Sequence, residues 1–196
     1  MAISNGYATL AEYKAYAIPD NTADATDDAV IEDFIEAASR DIDTATGRTF
    51  YARTETRKYD VPVGRELKFD DDLLTVTTLT NGDDNTIAST EYNLLPANVS
   101  PKYALKLKEG STTVWANDSS SNTEQVIDVA GTWGWSATRP DDINVACMEI
   151  AKALYGRRTG KNMTSIAKVT SAGIVLLPQG TPDWVYQILS RYKRRT

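Results

Sequence analysis

The sequence predicts an α+β protein, a small helical bundle formed by the N- and C-terminal helices with an antiparallel β-domain inserted between them. Three observations carry this reading. Apolar residues recur at three- and four-residue steps near both chain ends. Between them lie short runs rich in Val, Thr, Tyr and Leu, broken by turn residues. No helical segment separates those runs, so the crossovers that a parallel sheet requires are missing and the pairing should be antiparallel. The expected division is residues 1–48 with 136–196 for the bundle and 49–135 for the inserted β-domain.

The first helix is expected over 9–17, where Thr9 stands three residues before Glu12 as a capping box in "TLAEYKAYA". The turn-forming "IPDNTADATDD" interrupts it and leaves Thr26 as the N-cap of a long helix from Asp27 to Thr46. In that helix Val30, Ile31, Phe34, Ile35, Ala38, Ile42 and Ala45 form one apolar stripe. Asp27, Asp28, Glu32 and Asp33 crowd its positive N-terminal end, and Gly47 stands where a left-handed residue ends a helix.

Strands are read in "TETRKYDV", "LLTVTTLT", "EYNLLP", "ALKLKE" and "QVIDVAGTW". Asn81-Gly82 signals a hairpin, and "ANDSSSNTE" reads as an exposed, mobile loop. Helix returns after Thr138 and Pro140, with an apolar face of Ile143, Ala146, Cys147, Ile150, Ala151, Leu154 and Tyr155 ending near Gly156. "TGKNMTSIAKVTSAGIVLLPQG" divides between a strand in "AGIVLL" and a flexible link. A last helix takes Thr181 as N-cap and Pro182 as its first residue, with Trp184, Val185, Ile188, Leu189 and Tyr192 on one face.

Composition removes several classes of function. The chain of 196 residues is 41% hydrophobic and 24% charged, ordinary values for a folded domain with a real core. No run nears the roughly 18 apolar residues of a membrane span, and "MAISNGYATL" lacks a signal-peptide layout, so a cytoplasm-like compartment is expected. With no histidine, Ser-His-Asp and Cys-His catalysis are excluded, as are zinc sites that use histidine. The single cysteine, Cys147, forms no internal disulfide. A net charge of −6 argues against general affinity for nucleic acid.

Each remaining feature has a functional and a structural reading. Asp70, Asp71 and Asp72 in "FDDD" could bind a hard cation, but they lack the spaced ligands of a calcium loop and are expected in a turn between strands. Trp133 and Trp135 in "GTWGWS" could stack a sugar or base, or close a sheet against helices. Cys147 lies on a buried helix face, where a thiol acts as a small hydrophobe. The basic end, Arg191, Lys193, Arg194 and Arg195, complements the helix dipole and also suits docking of an amphipathic helix on a partner. No catalytic residue, metal ligand or cofactor site stands out.

The order of "YATLAEYKAYA", "DDAVIEDFIEAASRDIDTATGRTF" and "VIDVAGTWGWSATRPDDINVACMEIAKALYGRR" resembles the head-to-tail connector (adaptor, or head completion) proteins of long-tailed bacteriophages, in a longer form with an inserted β-domain. The resemblance implies a structural virion protein of the neck, assembled in the bacterial host cytoplasm. It implies a homo-oligomeric ring of about twelve subunits beneath the portal protein, a tail-side neck partner (stopper or tail completion protein), no membrane, and double-stranded DNA passing through without specific binding. It makes the C-terminal helix the candidate portal-docking element, with Trp184, Ile188 and Tyr192 as apolar anchors and Arg191, Arg194 and Arg195 as orienting charges. Deletion of 181–196 is then expected to abolish portal binding while leaving the rest of the fold largely intact. The rivals are a carbohydrate-binding or host-recognition module using the β-domain, and a metal-dependent enzyme using Asp70 or Asp71.

Overall fold

The expected capping box forms. Thr9 N–H donates to Glu12 Oε2 at 2.7 Å and Glu12 N–H to Thr9 Oγ1 at 3.2 Å, so helix α1 runs Leu10–Ala17. The structure is a computed structural model describing residues 3–159, 168–169, 175–176 and 181–194. It contains helices and a five-stranded antiparallel sheet, an α+β fold. The chain divides into two compact units, one of Met1–Gly47 with Arg139–Thr196 and the other of Arg48–Thr138.

In the helical unit, helix α2 covers Asp28–Thr46 and helix α3 Asp141–Thr159. Of the expected α2 stripe Ile31, Ile35, Ala38 and Ile42 are buried, Val30 and Phe34 are half-buried and Ala45 is exposed; Ile143, Ala146, Cys147, Ile150 and Ala151 of α3 are buried. The two helices run antiparallel: Tyr155 near the end of α3 donates its hydroxyl to Asp27 before α2 at 2.6 Å, and Ser39 Oγ meets Cys147 Sγ at mid-length, 3.4 Å away. Ser39, fully buried, accepts Tyr7 N–H at 2.9 Å and donates to Ile35 O at 2.7 Å, so its hydroxyl is satisfied inside the core. Gly47 ends α2 at φ 65°, as read from the sequence.

Some helix ends differ from expectation. Asp27, not Thr26, is the N-cap of α2, because Asp24 takes both the Thr26 N–H at 2.9 Å and its hydroxyl at 2.6 Å. Helix α3 passes through Gly156, which is buried, and continues to Thr159. Helix α4 is Asp183–Tyr192, with Pro182 rather than Thr181 at the N-cap. Of the segment between α3 and α4, only a pair of two-residue strands is described, β6 at Lys168–Val169 and β7 at Val175–Leu176. The rest of the expected "AGIVLL" strand and the expected link lie outside the described residues.

The other unit is built on strands β1 (Arg53–Tyr59), β2 (Glu66–Thr80), β3 (Tyr92–Leu95), β4 (Lys102–Leu107) and β5 (Ile127–Trp133), in the order β1-β5-β2-β4-β3. Strand β2 is shared: its first half pairs with β4 and its second with β5. Alternate residues of β5, Ile127, Val129, Gly131 and Trp133, are buried, the period-two signature of a sheet with one covered face. Leu67, Phe69, Leu73, Leu79, Leu105 and Leu107 complete that face. The expected Asn81 turn forms, with Asn81 N–H donating to Asn85 O at 2.9 Å, but the residue at positive φ is Asp84. Gly82 serves a different need: a Cβ there would lie 2.2 Å from Ala116 O. The "ANDSSSNTE" loop is largely exposed, and Asp118 Oδ1 accepts the N–H groups of Ser120 and Asn122, each at 2.8 Å.

Candidate functional site

Helix α4 is amphipathic in an unexpected way. Val185 and Leu189 are buried in the helical unit, while Trp184 is 40% exposed and Tyr186 58%. Trp184, half-buried Ile188 and exposed Arg191 therefore form an outward stripe at i, i+4 and i+7. Tyr192 does not belong to it. Its hydroxyl donates to both carboxylate oxygens of Asp142 at 2.8 and 3.0 Å, and burial together with that carboxylate pushes its pKa up to about 12. Arg194 N–H donates to Thr46 O at 2.9 Å, satisfying one of the carbonyls that α2 leaves open at its end. Arg195 lies outside the described residues.

Of the six sequence-derived docking residues, the structure thus brings Trp184, Ile188 and Arg191 together on one surface and uses contacts of Tyr192 and Arg194 to fix the helix in place. Tyr186 is an exposed aromatic that the periodicity passed over, because it stands off the apolar stripe. The burial of Val185 and Leu189 also corrects one expectation: removing 181–196 would uncover the helical core.

The aspartate triplet is not in a turn. Asp70, Asp71 and Asp72 lie within β2, where the register shifts between Lys68 and Leu73 and Asp71, Asp72 and Leu73 are buried in succession. Each carboxylate meets an arginine: Arg48 Nη1 lies 2.6 Å from Asp72, Arg57 reaches Asp70 at 2.9 Å and Asp71 at 2.8 Å, and Arg53 also contacts Asp71. Tyr59 donates to Asp70 at 2.6 Å, and Glu55 accepts from Arg57 at 2.6 Å. Burial alone would raise the pKa of Asp70 and of Glu55. The hydrogen bonds from Tyr59 and Arg57 to Asp70, and from Arg57 and Arg53 to Glu55, lower both instead. These aspartates are charge partners of arginine. Among the described residues, no group of three or more metal-ligating side chains is placed to hold an ion.

The tryptophans belong to the same framework. Trp133 is fully buried, packs edge-on against Phe69 at 5.4 Å, lies under the Arg57 guanidinium at 4.6 Å and donates Nε1–H to Glu55 O at 3.2 Å. Trp135 lies under Arg48 at 4.5 Å and against Phe50. A buried Trp133 offers no platform for a sugar, which overturns the paired-tryptophan surface considered above. Cys147 is fully buried, and burial pushes its thiol up to about 11, so it stays protonated and inert at neutral pH. No helix among the described residues is long and apolar enough to cross a membrane.

The fold is an α+β scaffold in which the aspartates of β2, the arginines beside them and Trp133 and Trp135 are engaged with one another, while α4 turns Trp184, Ile188 and Arg191 outward. No protein-family model and no curated protein matches the sequence. Solved structures do share the fold. A chain in the neck of an empty gene transfer agent (GTA) particle, computed with C6 symmetry, matches with TM-score 0.64 at 16% identity, over 100% of this chain and 94% of that one. A chain in the virion of the native GTA particle matches at 0.63, with the same identity and coverage. A third, in the neck of the native particle computed with C12 symmetry, matches at 0.60 and 16% identity, over 100% of this chain and 93% of that one.

Proposed function

We propose that this chain is a structural neck protein of a phage-like virion, one subunit of a ring of about twelve that docks beneath the portal, extends the DNA conduit and meets a stopper or tail completion protein on its tail side. The observation that carries the reading is a fold shared over the whole chain with chains from GTA neck structures. Three further features support it. The chemistry described above is internally neutralised, as suits a protein that acts through shape and contact and not by catalysis. A net charge of −6 favours repulsion of a passing polyanion over retention. The exposed stripe of Trp184, Ile188 and Arg191 has the aromatic and arginine content of an interface anchor. On this reading the subunits assemble in the cytoplasm of the bacterial host.

The test substitutes the outward residues and leaves the buried ones alone. Trp184→Ala combined with Arg191→Glu is expected to weaken binding to the isolated portal by about 30-fold or more, the loss of roughly 2 kcal/mol typical of an interface anchor. The helical content by circular dichroism should stay at the parent value. Unchanged portal affinity would refute α4 as the docking element. Absence of the protein from purified necks would refute the role itself.

A further inference from the structure

The two helical segments carry opposite charge. Up to Gly47 the chain has ten acidic and two basic residues, and from Arg139 onward it has ten basic and four acidic. Folding places part of this imbalance at opposite ends of the α2–α3 pair. At the start of α2 and the end of α3 lies a cavity of about 380 Å³ lined by Ile18, Ile31, Asn21, Asp24, Asp27, Tyr155 and Thr159. At the other end, the last turn of α4 is held against the start of α3 through Tyr192 and Asp142 and against the end of α2 through Arg194 and Thr46, leaving Arg191 and Lys193 exposed. A 19-residue helix such as α2 sets these ends about 28 Å apart.

Among the described residues, the hydrogen-bond donors to the Asp24 and Asp27 carboxylates are uncharged. Asp24 accepts from Thr26 and Asn21, and Asp27 from the Tyr155 phenol. Among the described residues, Lys14 bonds to the Asp24 carbonyl oxygen at 2.7 Å and to Asp28 at 2.5 Å, and Arg157 and Arg158 stand exposed in the last turn of α3, Arg158 acting on Tyr155 from a distance. The hydrogen bonds from the Thr26 hydroxyl and N–H lower the pKa of Asp24, so it is ionised at neutral pH. Two isoleucines and two carboxylates lining one cavity fit a long aliphatic stem ending in a cation.

We propose that this cavity receives the Lys193 side chain of a second copy of the same chain, its stem along Ile18 and Ile31 and its ammonium between Asp24 and Asp27. Donor and receptor sit beside opposite ends of the α2–α3 pair, so the contact is heterologous and propagates from copy to copy, as a closed ring requires. The Trp184–Ile188–Arg191 stripe is left for the portal. The inference deepens the proposed ring and rests on that reading.

The test mixes ¹⁴N- and ¹⁵N-labelled full chain at high concentration and low salt, adds a carbodiimide that joins amine to carboxylate without a spacer, and maps the products by mass spectrometry. Mixed-isotope peptides linking Lys193 to Asp24 or Asp27 are expected. In sedimentation velocity Lys193→Gln, a change at an exposed position, should weaken self-association about five- to tenfold, and added salt should do the same to the parent. The double variant Asp24→Lys with Lys193→Asp should recover it. A chain that stays monomeric at about 1 mM, or oligomers that form without the linked peptides and ignore Lys193→Gln, would overturn the contact. The neck role is judged separately, by whether the protein is present in purified necks.

Discussion

Arg57 shows how single residues settle this molecule's chemistry. Its guanidinium lies over the Trp133 ring and bonds to Glu55, Asp70 and Asp71. Burial would lower its pKa, but Glu55 and Asp70 raise it, so it is a fixed positive charge. The lowered pKa values of Asp70 and Glu55 have a definite consequence for stability. A carboxylate depressed in the folded state contributes stability that is fully present above its unfolded pKa near 4 and is lost as pH falls through the lower folded value. The β-unit should therefore melt at nearly constant temperature between pH 5 and 7 and at progressively lower temperature below about pH 4. The double variant Glu55→Gln, Asp70→Asn should show a lower melting temperature at pH 7 and a shallower acid-side slope, read by near-ultraviolet circular dichroism. An unaltered slope would mean that these groups are not linked to folding. None of this pairing was legible in the sequence, because "FDDD" and the arginines of β1 are neighbours only through β-pairing and a register shift.

At the scale of elements, the local signals were good guides wherever structure is decided locally. The Thr9–Glu12 box, the α2 stripe as far as Ile42, Gly47 and the five strand runs reappear, because caps, periodicity and left-handed glycine act within a few residues. The misreadings had two sources: Asp24, only two residues away, withdrew Thr26 from capping, and pairing with distant chain absorbed Asp71 and Asp72 into a bulged strand. Gly131 illustrates the limit. It reads as an ordinary strand residue, yet a Cβ there would stand 2.1 Å from Thr75 O of the neighbouring strand, which is backbone and cannot swing aside. Gly131→Ala should destabilise the sheet by about 3 kcal/mol, the upper part of the usual range for overpacking, measured by urea unfolding followed at the tryptophans. A change below about 0.5 kcal/mol would show that β2 and β5 can separate at little cost.

For the whole molecule, the sequence carried the class of fold and only part of the candidate site. Trp184, Ile188 and Arg191 are outward because Val185 and Leu189 take the inward positions, a partition that a single five-residue apolar face could not reveal. The inward position of Val185 and Leu189 makes α4 part of the bundle, not an appendage. The β-unit, by contrast, has its own core of Leu, Phe and Trp side chains and its own neutralised charge network. Residues 48–138 expressed alone should fold, giving a dispersed amide spectrum and one cooperative thermal transition. A collapsed spectrum would show that the sheet depends on the rest of the chain.

Strands β1 and β5 pair so that Arg53, near the start of the β-unit, stands opposite Trp133, near its finish. Across an antiparallel pair such residues are about 5 Å apart. A module whose entrance and exit are adjacent can be lifted out and the cut joined by a few small residues, or another hairpin-ended module grafted in its place. The framework thereby tolerates exchange of its insert, a route by which one helical unit can carry different surfaces without being rebuilt.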